Sequence, residues 1–209
     1  MAVAKSMTFG HLQIAYDDRV LEPRTWTTLQ SEWAASLLDR APAGRVLELC
    51  AGAGHIGLLA VAASDRELVC VDLNPVACEF TRENARAAGL DHRVEVREGR
   101  IRDVLGPDER FALVVADPPW VPSAGVGRFP EDPLIAIDGG DTGLDVAREC
   151  VDAVVAHLLP GGSALLQLGT AEQAAEVGRW LDDVPGLAVT EVRSHEDRGV
   201  VARLDRVPA

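Results

Sequence analysis

The chain has one lysine, one tyrosine, no CxxC pair and no long apolar run, and each shortage excludes something. The lone tyrosine, Tyr16, and lone lysine, Lys5, cannot form the Tyr-x-x-x-Lys acid of many nicotinamide-dependent oxidoreductases. Cys50, Cys70, Cys78 and Cys150 lack the close spacing and histidine helpers of a zinc site, so they read as buried, reduced thiols. His11, His55, His92, His157 and His195 show no HxxxH spacing, and no structural metal is expected. The apolar stretches 111–116 and 163–168 fall far short of the roughly 20 residues of a membrane span. Residues 1–11 carry one lysine and no continuous apolar segment, so no signal peptide is expected and the cytoplasm is the expected compartment. Basic charge is also scarce: 20 Lys and Arg face 33 Asp and Glu, for a net charge of −13. Nucleic-acid binding draws on Lys and Arg, so a protein or small-molecule partner is expected instead. The arginines at 82, 86, 93, 97, 100 and 102 read as a solvated face.

What is present is an apolar, regularly alternating chain. At 209 residues and 47% hydrophobic it can bury one substantial α/β core. Residues 8–21 alternate around Asp17-Asp18, which predicts a small hairpin. Thr27 or Thr28 can cap a helix to about Arg40, ended by Pro42 and Gly44. Strands are predicted at 45–51, 67–73, 93–98, 111–117 and 162–169, with helices at 55–63, 74–89, 144–159 and 171–183 between or after them. Residues 121–143, rich in Pro and Gly, read as loop. A closing antiparallel hairpin is predicted from 187–196 and 200–206, turned by Gly199. Strands alternating with helices imply βαβ units and a mostly parallel, doubly covered sheet. One domain is expected, with residues 1–43 as hairpin and helix and 44–209 as core.

Two stretches carry chemistry. The first βα junction reads Glu48-Leu-Cys-Ala51-Gly52-Ala-Gly54-His-Ile56-Gly57, where glycines let backbone turn sharply and approach a ligand. Gly52-x-Gly54-x-x-Gly57 also fits a dinucleotide fingerprint. Glu48 tilts the reading, because a carboxylate facing the crevice suits the ammonium of a methionine moiety and repels a pyrophosphate. The next strand ends at Asp72, placed to accept both hydroxyls of a ribose. The second stretch, Asp117-Pro118-Pro119-Trp120, follows the fourth strand at the sheet's carboxyl edge. A planar NH2 group is a poor nucleophile because its lone pair is delocalised. Acceptors on its N–H bonds, from Asp117 and a prolyl carbonyl, would aim the nitrogen at a methyl donor. Two prolines stiffen the carbonyl rail and Trp120 offers a flat face. Positioning supplies most of the catalytic advantage of such a site.

Together these residues resemble the (N/D)PP(F/Y/W) N-methyltransferases, and most closely the HemK-type enzymes that methylate a glutamine side-chain nitrogen of peptide-chain release factors. Val20-Leu-Glu-Pro23-Arg24-Thr-Trp-Thr27 is similar to that family's VLxPRxxT segment, and Ala136-Ile-Asp-Gly139-Gly140-Asp-Thr-Gly143-Leu144-Asp145 to its ALxGGxxGLD segment. The likeness runs from about Phe9 to the C-terminus. It implies a Rossmann-like class I methyltransferase: a doubly wound, seven-stranded, mostly parallel sheet with a C-terminal antiparallel hairpin, plus an N-terminal hairpin and helix. It implies S-adenosyl-L-methionine as cofactor, held by Thr27, Glu48, Ala51, Gly52, Gly54, Ile56, Gly57, Asp72, Leu73 and Asp117. Asp117, Pro118, Pro119 and Trp120 would then perform transfer to a planar amide or amine nitrogen of a protein or small molecule. The alternative is a nucleic-acid adenine or guanine N-methyltransferase, which the acidic charge disfavours. Three features depart from the family. Its NPPY is DPPW here, and an ionised Asp only accepts where Asn also donates. Its adenine-side Asp after the third core strand is matched by Arg100, with Asp103 nearby. Its separate N-terminal docking domain has no counterpart in the roughly 40 residues before the first core strand.

Overall fold

A computed structural model of the protein describes residues 4–194 and 198–208. Nine strands and seven α-helices are formed within these residues, in two sheets.

The chain begins with a two-stranded antiparallel hairpin, β1 (Lys5–Phe9) and β2 (Leu12–Tyr16). Its turn is at Gly10-His11 and not at Asp17-Asp18. Phe9 pairs directly with Leu12, and Gly10 takes the left-handed φ of +58° that such a tight turn needs. Asp17 instead accepts from the Arg19 backbone N–H at 2.9 Å, which bends the chain out of the sheet. A 3₁₀ turn at Thr25–Thr27 leads into helix α1 (Thr28–Leu38). Neither threonine caps it: Thr27 Oγ1 donates to the Arg24 carbonyl at 2.8 Å and Thr28 Oγ1 to that of Thr25 at 2.9 Å.

The main sheet has order β5-β4-β3-β6-β7-β9-β8. Its members are β3 (Arg45–Leu49), β4 (Leu68–Asp72), β5 (Val94–Glu98), β6 (Phe111–Ala116), β7 (Leu158–Leu168), β8 (Leu187–Ser194) and β9 (Val200–Arg206). β3 to β7 run parallel to one another, whereas β9 runs antiparallel to both β7 and β8. This is the doubly wound sheet with an antiparallel closing hairpin that the sequence pattern predicts. The predicted extension of the first closing strand to Glu196 lies outside the described residues. The helices are α2 (His55–Val61), α3 (Pro75–Ala87), α4 (Ile101–Val104), α5 (Leu134–Ile137), α6 (Asp145–His157) and α7 (Ala171–Leu181). Asn74 caps α3 by accepting from Val76 N–H at 3.0 Å, with Pro75 at the first helical position. No helix among the described residues is long and apolar enough to cross a membrane.

Each face of the sheet has its own apolar cluster. One joins α4, α6 and α7 to the sheet, the other α1, α2, α3 and the N-terminal hairpin. β6 is buried along its whole length, which is why it reads as an unbroken apolar run rather than an alternating one. Side chains such as Leu47, Leu113, Leu165 and Leu204 are wholly excluded from solvent, each contributing about 1.5–3 kcal/mol.

Two buried amides place the N-terminal elements against this core. Gln30 Nε2 donates to the carbonyls of Ala116 and Leu165, both at 3.0 Å, fastening α1 to the ends of β6 and β7. Asn84 exchanges bonds with the Ala15 backbone at 2.8 and 3.0 Å and donates to Ala53 O at 2.9 Å. The hairpin is thereby tied to the turn after β3. The sheet order also fixes where a ligand can sit. The chain winds outward from β3 to β5, then returns to place β6 on the other flank of β3. Ligands bind outside the carboxyl ends of such a switch point.

Candidate active site

A cavity of about 240 Å³ lies at that switch point. The turn after β3 forms its floor. Cys50, at φ +57°, and Gly52, at +55°, are both left-handed, and the space above Gly52 is open where a side chain would project. Asp72, at the end of β4, holds this turn in place: Oδ2 accepts from Gly52 N–H at 2.7 Å and Oδ1 from Asn74 N–H at 2.8 Å. Burial raises the Asp72 pKa, and these backbone donors pull it part of the way back.

Of the residues predicted to hold a cofactor, Ala51, Gly52, Ile56, Asp72, Leu73 and Asp117 line the cavity together. Glu48, Thr27, Gly54 and Gly57 stand behind the wall. Glu48 is turned beneath the glycine turn, where Oε1 accepts from Gly57 N–H at 2.8 Å and Oε2 from the Cys70 thiol at 3.2 Å. Gly57 is glycine because any β-carbon there would strike the Glu48 carboxylate. Gly54, at φ +76°, has the Thr81 side chain where a β-carbon would go. Thr27 lies behind His55, with Thr27 Oγ1 3.5 Å from His55 Nε2. Burial pushes His55 down to about 3, so this imidazole, packed edge-on to Phe9, is neutral at physiological pH.

Burial pushes Glu48 up to about 7 despite the Gly57 and Cys70 donors, with the Asp72 and Asp117 charges adding to the rise. The unfolded chain releases this proton near 4.5. The folded protein therefore binds more protons between pH 4.5 and 7 and loses stability as pH rises through that window. Glu48→Gln keeps an acceptor for Gly57 and removes the titration. It is expected to be the more stable protein at pH 8, by about 3 kcal/mol relative to its standing at pH 4.5. Urea denaturation across pH measures this, and wild-type and variant curves that stay parallel would refute it.

The tetrapeptide after β6 forms the opposite side. Asp117 and Pro119 line the cavity, and Asp117 N–H is bonded to the Leu49 carbonyl at 3.4 Å. Burial alone pushes the Asp117 carboxyl up to about 7. Pro118 is buried, and the half-buried Trp120 lays its ring against Gly169, whose β-carbon would lie 2.5 Å from it. Gln173 orders this stretch: Nε2 donates to the carbonyls of Trp120 and Thr142, both at 3.2 Å, while Oε1 accepts from Gly169 N–H at 2.8 Å. The sequence signal for it is the Thr170-x-x-Gln173 capping pattern, in which Thr170 Oγ1 accepts from Gln173 N–H at 3.2 Å. The β-carbon of a residue at Gly139 would lie 2.6 Å from Pro119 O, so the Gly139-Gly140 stretch packs directly against the proline rail.

The rest of the wall includes Val20, Glu22 and Arg24 from the VLxPRxxT-like segment, Arg100, and two residues that no motif marks, Ile135 and Glu149. Arg24 is held by Asp132, with 2.7 Å contacts to both carboxylate oxygens, which joins the N-terminal segment to the connection after β6 across the mouth. Among the described residues no group of three or more His, Cys, Asp and Glu could hold a metal ion.

S-adenosylmethionine fits what is present. The cavity offers an open glycine turn, a carboxylate with lone pairs left for ribose hydroxyls, and apolar side chains at Leu73, Ile101 and Val146 for a purine ring. Comparison with known proteins agrees. Residues 30–128 match the methyltransferase small domain family. The ribosomal protein uL3 glutamine methyltransferase of Bradyrhizobium diazoefficiens is 34% identical over 173 residues, 77% of this chain and 54% of that protein. The release factor glutamine methyltransferase of Xylella fastidiosa is 35% identical over 204 residues, 93% of this chain and 72% of that protein. The chain thus spans about half the length of the first relative and nearly three quarters of the second. An RNA methyltransferase from Salinibacter ruber, solved with S-adenosyl-L-homocysteine, shares the fold at a TM-score of 0.58 and 18% identity, over 90% of this chain and 94% of that one. The chain belongs to the HemK-like, small-domain family of class I methyltransferases, whose cofactor is S-adenosyl-L-methionine.

Proposed function

We propose that this chain is an N-methyltransferase acting on a planar amide or amine nitrogen carried by a protein or small molecule, with a protein glutamine amide as the first candidate. The observation that carries the reading is the placement of Asp117 and Pro119 in one cavity with Gly52 and Asp72. The names of the relatives, glutamine methyltransferases of a ribosomal protein and of release factors, support a protein amide.

When bound, S-adenosylmethionine supplies a methyl carbon on a positively charged sulfur. The residues of the chain do the positioning. Asp72 and the glycine turn would fix the donor, and Asp117 with a prolyl carbonyl of the Pro118-Pro119 rail would accept from the two N–H bonds of the acceptor. That nitrogen would receive the methyl and give up one proton, with Asp117 as the acceptor at hand. Because the Asp117 carboxyl is pushed up to about 7, its neutral form is populated near neutrality. That form both accepts and donates, so it can meet the N–H and the carbonyl of a primary amide together, as Asn does.

Tritiated S-adenosylmethionine and cell extract test the reading. Label is expected in a protease-sensitive, nuclease-resistant fraction, from which acid hydrolysis releases methylamine. Label removed by nuclease would assign the acceptor to nucleic acid and overturn the proposal.

A further inference from the structure

We propose that Glu149, on α6, is the hydrogen-bond acceptor for the exocyclic amino group of the cofactor's adenine, in place of the family Asp that Arg100 has replaced. The inference rests on the cofactor reading above and extends it to a residue that no motif marks.

The carboxylates on the cavity wall are Glu22, Asp72, Asp117 and Glu149. Asp72 is committed to the turn after β3 and Asp117 to the end of β6, while Glu22 belongs to the N-terminal segment. Glu149 is the one placed at the β5 end. It lies on α6, which packs on α4, and the residues leading into α4, Gly99, Arg100 and Ile101, form the adjoining wall. Val146 lies one turn earlier on the same helix face and also lines the cavity. α6 therefore presents an apolar side chain for a ring face and a carboxylate for its edge. Asp103, the other candidate on the sequence, is excluded by position. It is absent from the wall, and its exposed carboxylate lies 3.7 Å from Arg102.

Glu149 is also unclaimed. Its neighbour Arg148 is turned to Asp152 at 3.2 Å and over the Trp180 ring, and among the described residues no donor reaches the Glu149 carboxylate. A cavity-wall carboxylate with no protein donor keeps its lone pairs free for a charge-assisted N–H bond from the ligand. Adenine offers such a donor at its amino group.

The test is calorimetric binding of S-adenosylhomocysteine and of its 6-deamino analogue, in which hydrogen replaces the amino group, to wild type, Glu149→Ala, Glu149→Gln and Asp103→Ala. The wild type is expected to prefer S-adenosylhomocysteine by about 10- to 100-fold, the range of a charge-assisted bond. Glu149→Ala should reduce the preference to about 3-fold or less, and Glu149→Gln, which keeps an acceptor oxygen, should retain part of it. Asp103→Ala should leave both affinities unchanged. A wild type that does not discriminate between the ligands, or an unchanged preference in Glu149→Ala, overturns the Glu149 assignment while leaving the cofactor reading intact. A wild type that does not bind S-adenosylhomocysteine at all overturns both.

Discussion

Asp117→Ala is expected to lower methyl transfer by about 10²- to 10³-fold while shifting S-adenosylhomocysteine affinity by no more than about 3-fold. The split follows from where Asp117 sits. Its carboxyl faces the cavity with no side-chain partner among the described residues, and its N–H, which the substitution keeps, makes the bond to Leu49 O. Removing the carboxyl leaves the glycine turn and Asp72 untouched and deletes only what orients the acceptor. Initial rates with the tritiated donor and calorimetry with the product read the two halves separately. Equal losses in rate and affinity would make Asp117 a cofactor ligand rather than a catalytic residue, and no loss in either would remove the tetrapeptide from the reaction.

Asp72→Ala is expected to give the opposite split, with S-adenosylhomocysteine affinity falling about 100-fold or more. On the proposed reading of the cavity, two charge-assisted bonds to ribose hydroxyls would be lost, each worth about 1.5–3 kcal/mol. The Gly52 and Asn74 amides also lose their acceptor, so the turn itself loosens. Asp72→Asn, which keeps one acceptor oxygen, should fall between wild type and Ala. Thermal melting without ligand separates the two contributions, because the loosened turn lowers the melting temperature even when nothing is bound. An unchanged dissociation constant in Asp72→Ala would refute the assignment of this cavity to the cofactor.

The sheet was legible because its inner strands are compact apolar runs, its edge strands β5 and β8 alternate apolar and polar residues, and β6, apolar at every position, marks the centre. Sequence reading failed where local pattern and tertiary context diverge. The alternation across Asp17-Asp18 reads through a turn that Gly10 actually makes, since φ +58° costs glycine little and the Asp17 side chain prefers to bond the backbone two residues on. α4 is four residues long and too short to show a period, and α5 hides in the Pro- and Gly-rich connection. β7 begins at Leu158, where a helix was predicted to continue, because Leu158 pairs with Phe111 ahead of a register shift.

The site divides in the same way. That Gly52, Asp72, Asp117 and Pro119 would line one cavity was readable because turn and strand-end positions impose residue types locally. The burial of Glu48 beneath Gly57 was not, since a strand-end carboxylate can point to either side of its loop and only the three-dimensional packing decides. The contributions of Ile135 and Glu149 were also out of reach, because they come from two separate elements with no shared local motif, whereas Arg24 stands in the quoted VLxPRxxT-like segment.

The bond from Asp117 to Leu49 joins the proposed methyl donor bed and the proposed acceptor rail as neighbouring strands of one sheet, about 4.8 Å apart. That gap is as stiff as the backbone ladder itself, so it cannot adapt to a bulkier or differently shaped nucleophile. Any retuning of acceptor choice must then fall on the rim, residues 20–24 and 121–143, which the Arg24–Asp132 pair clasps together. Substituting those two stretches as a matched set would redirect the catalyst while leaving its working parts at their original spacing.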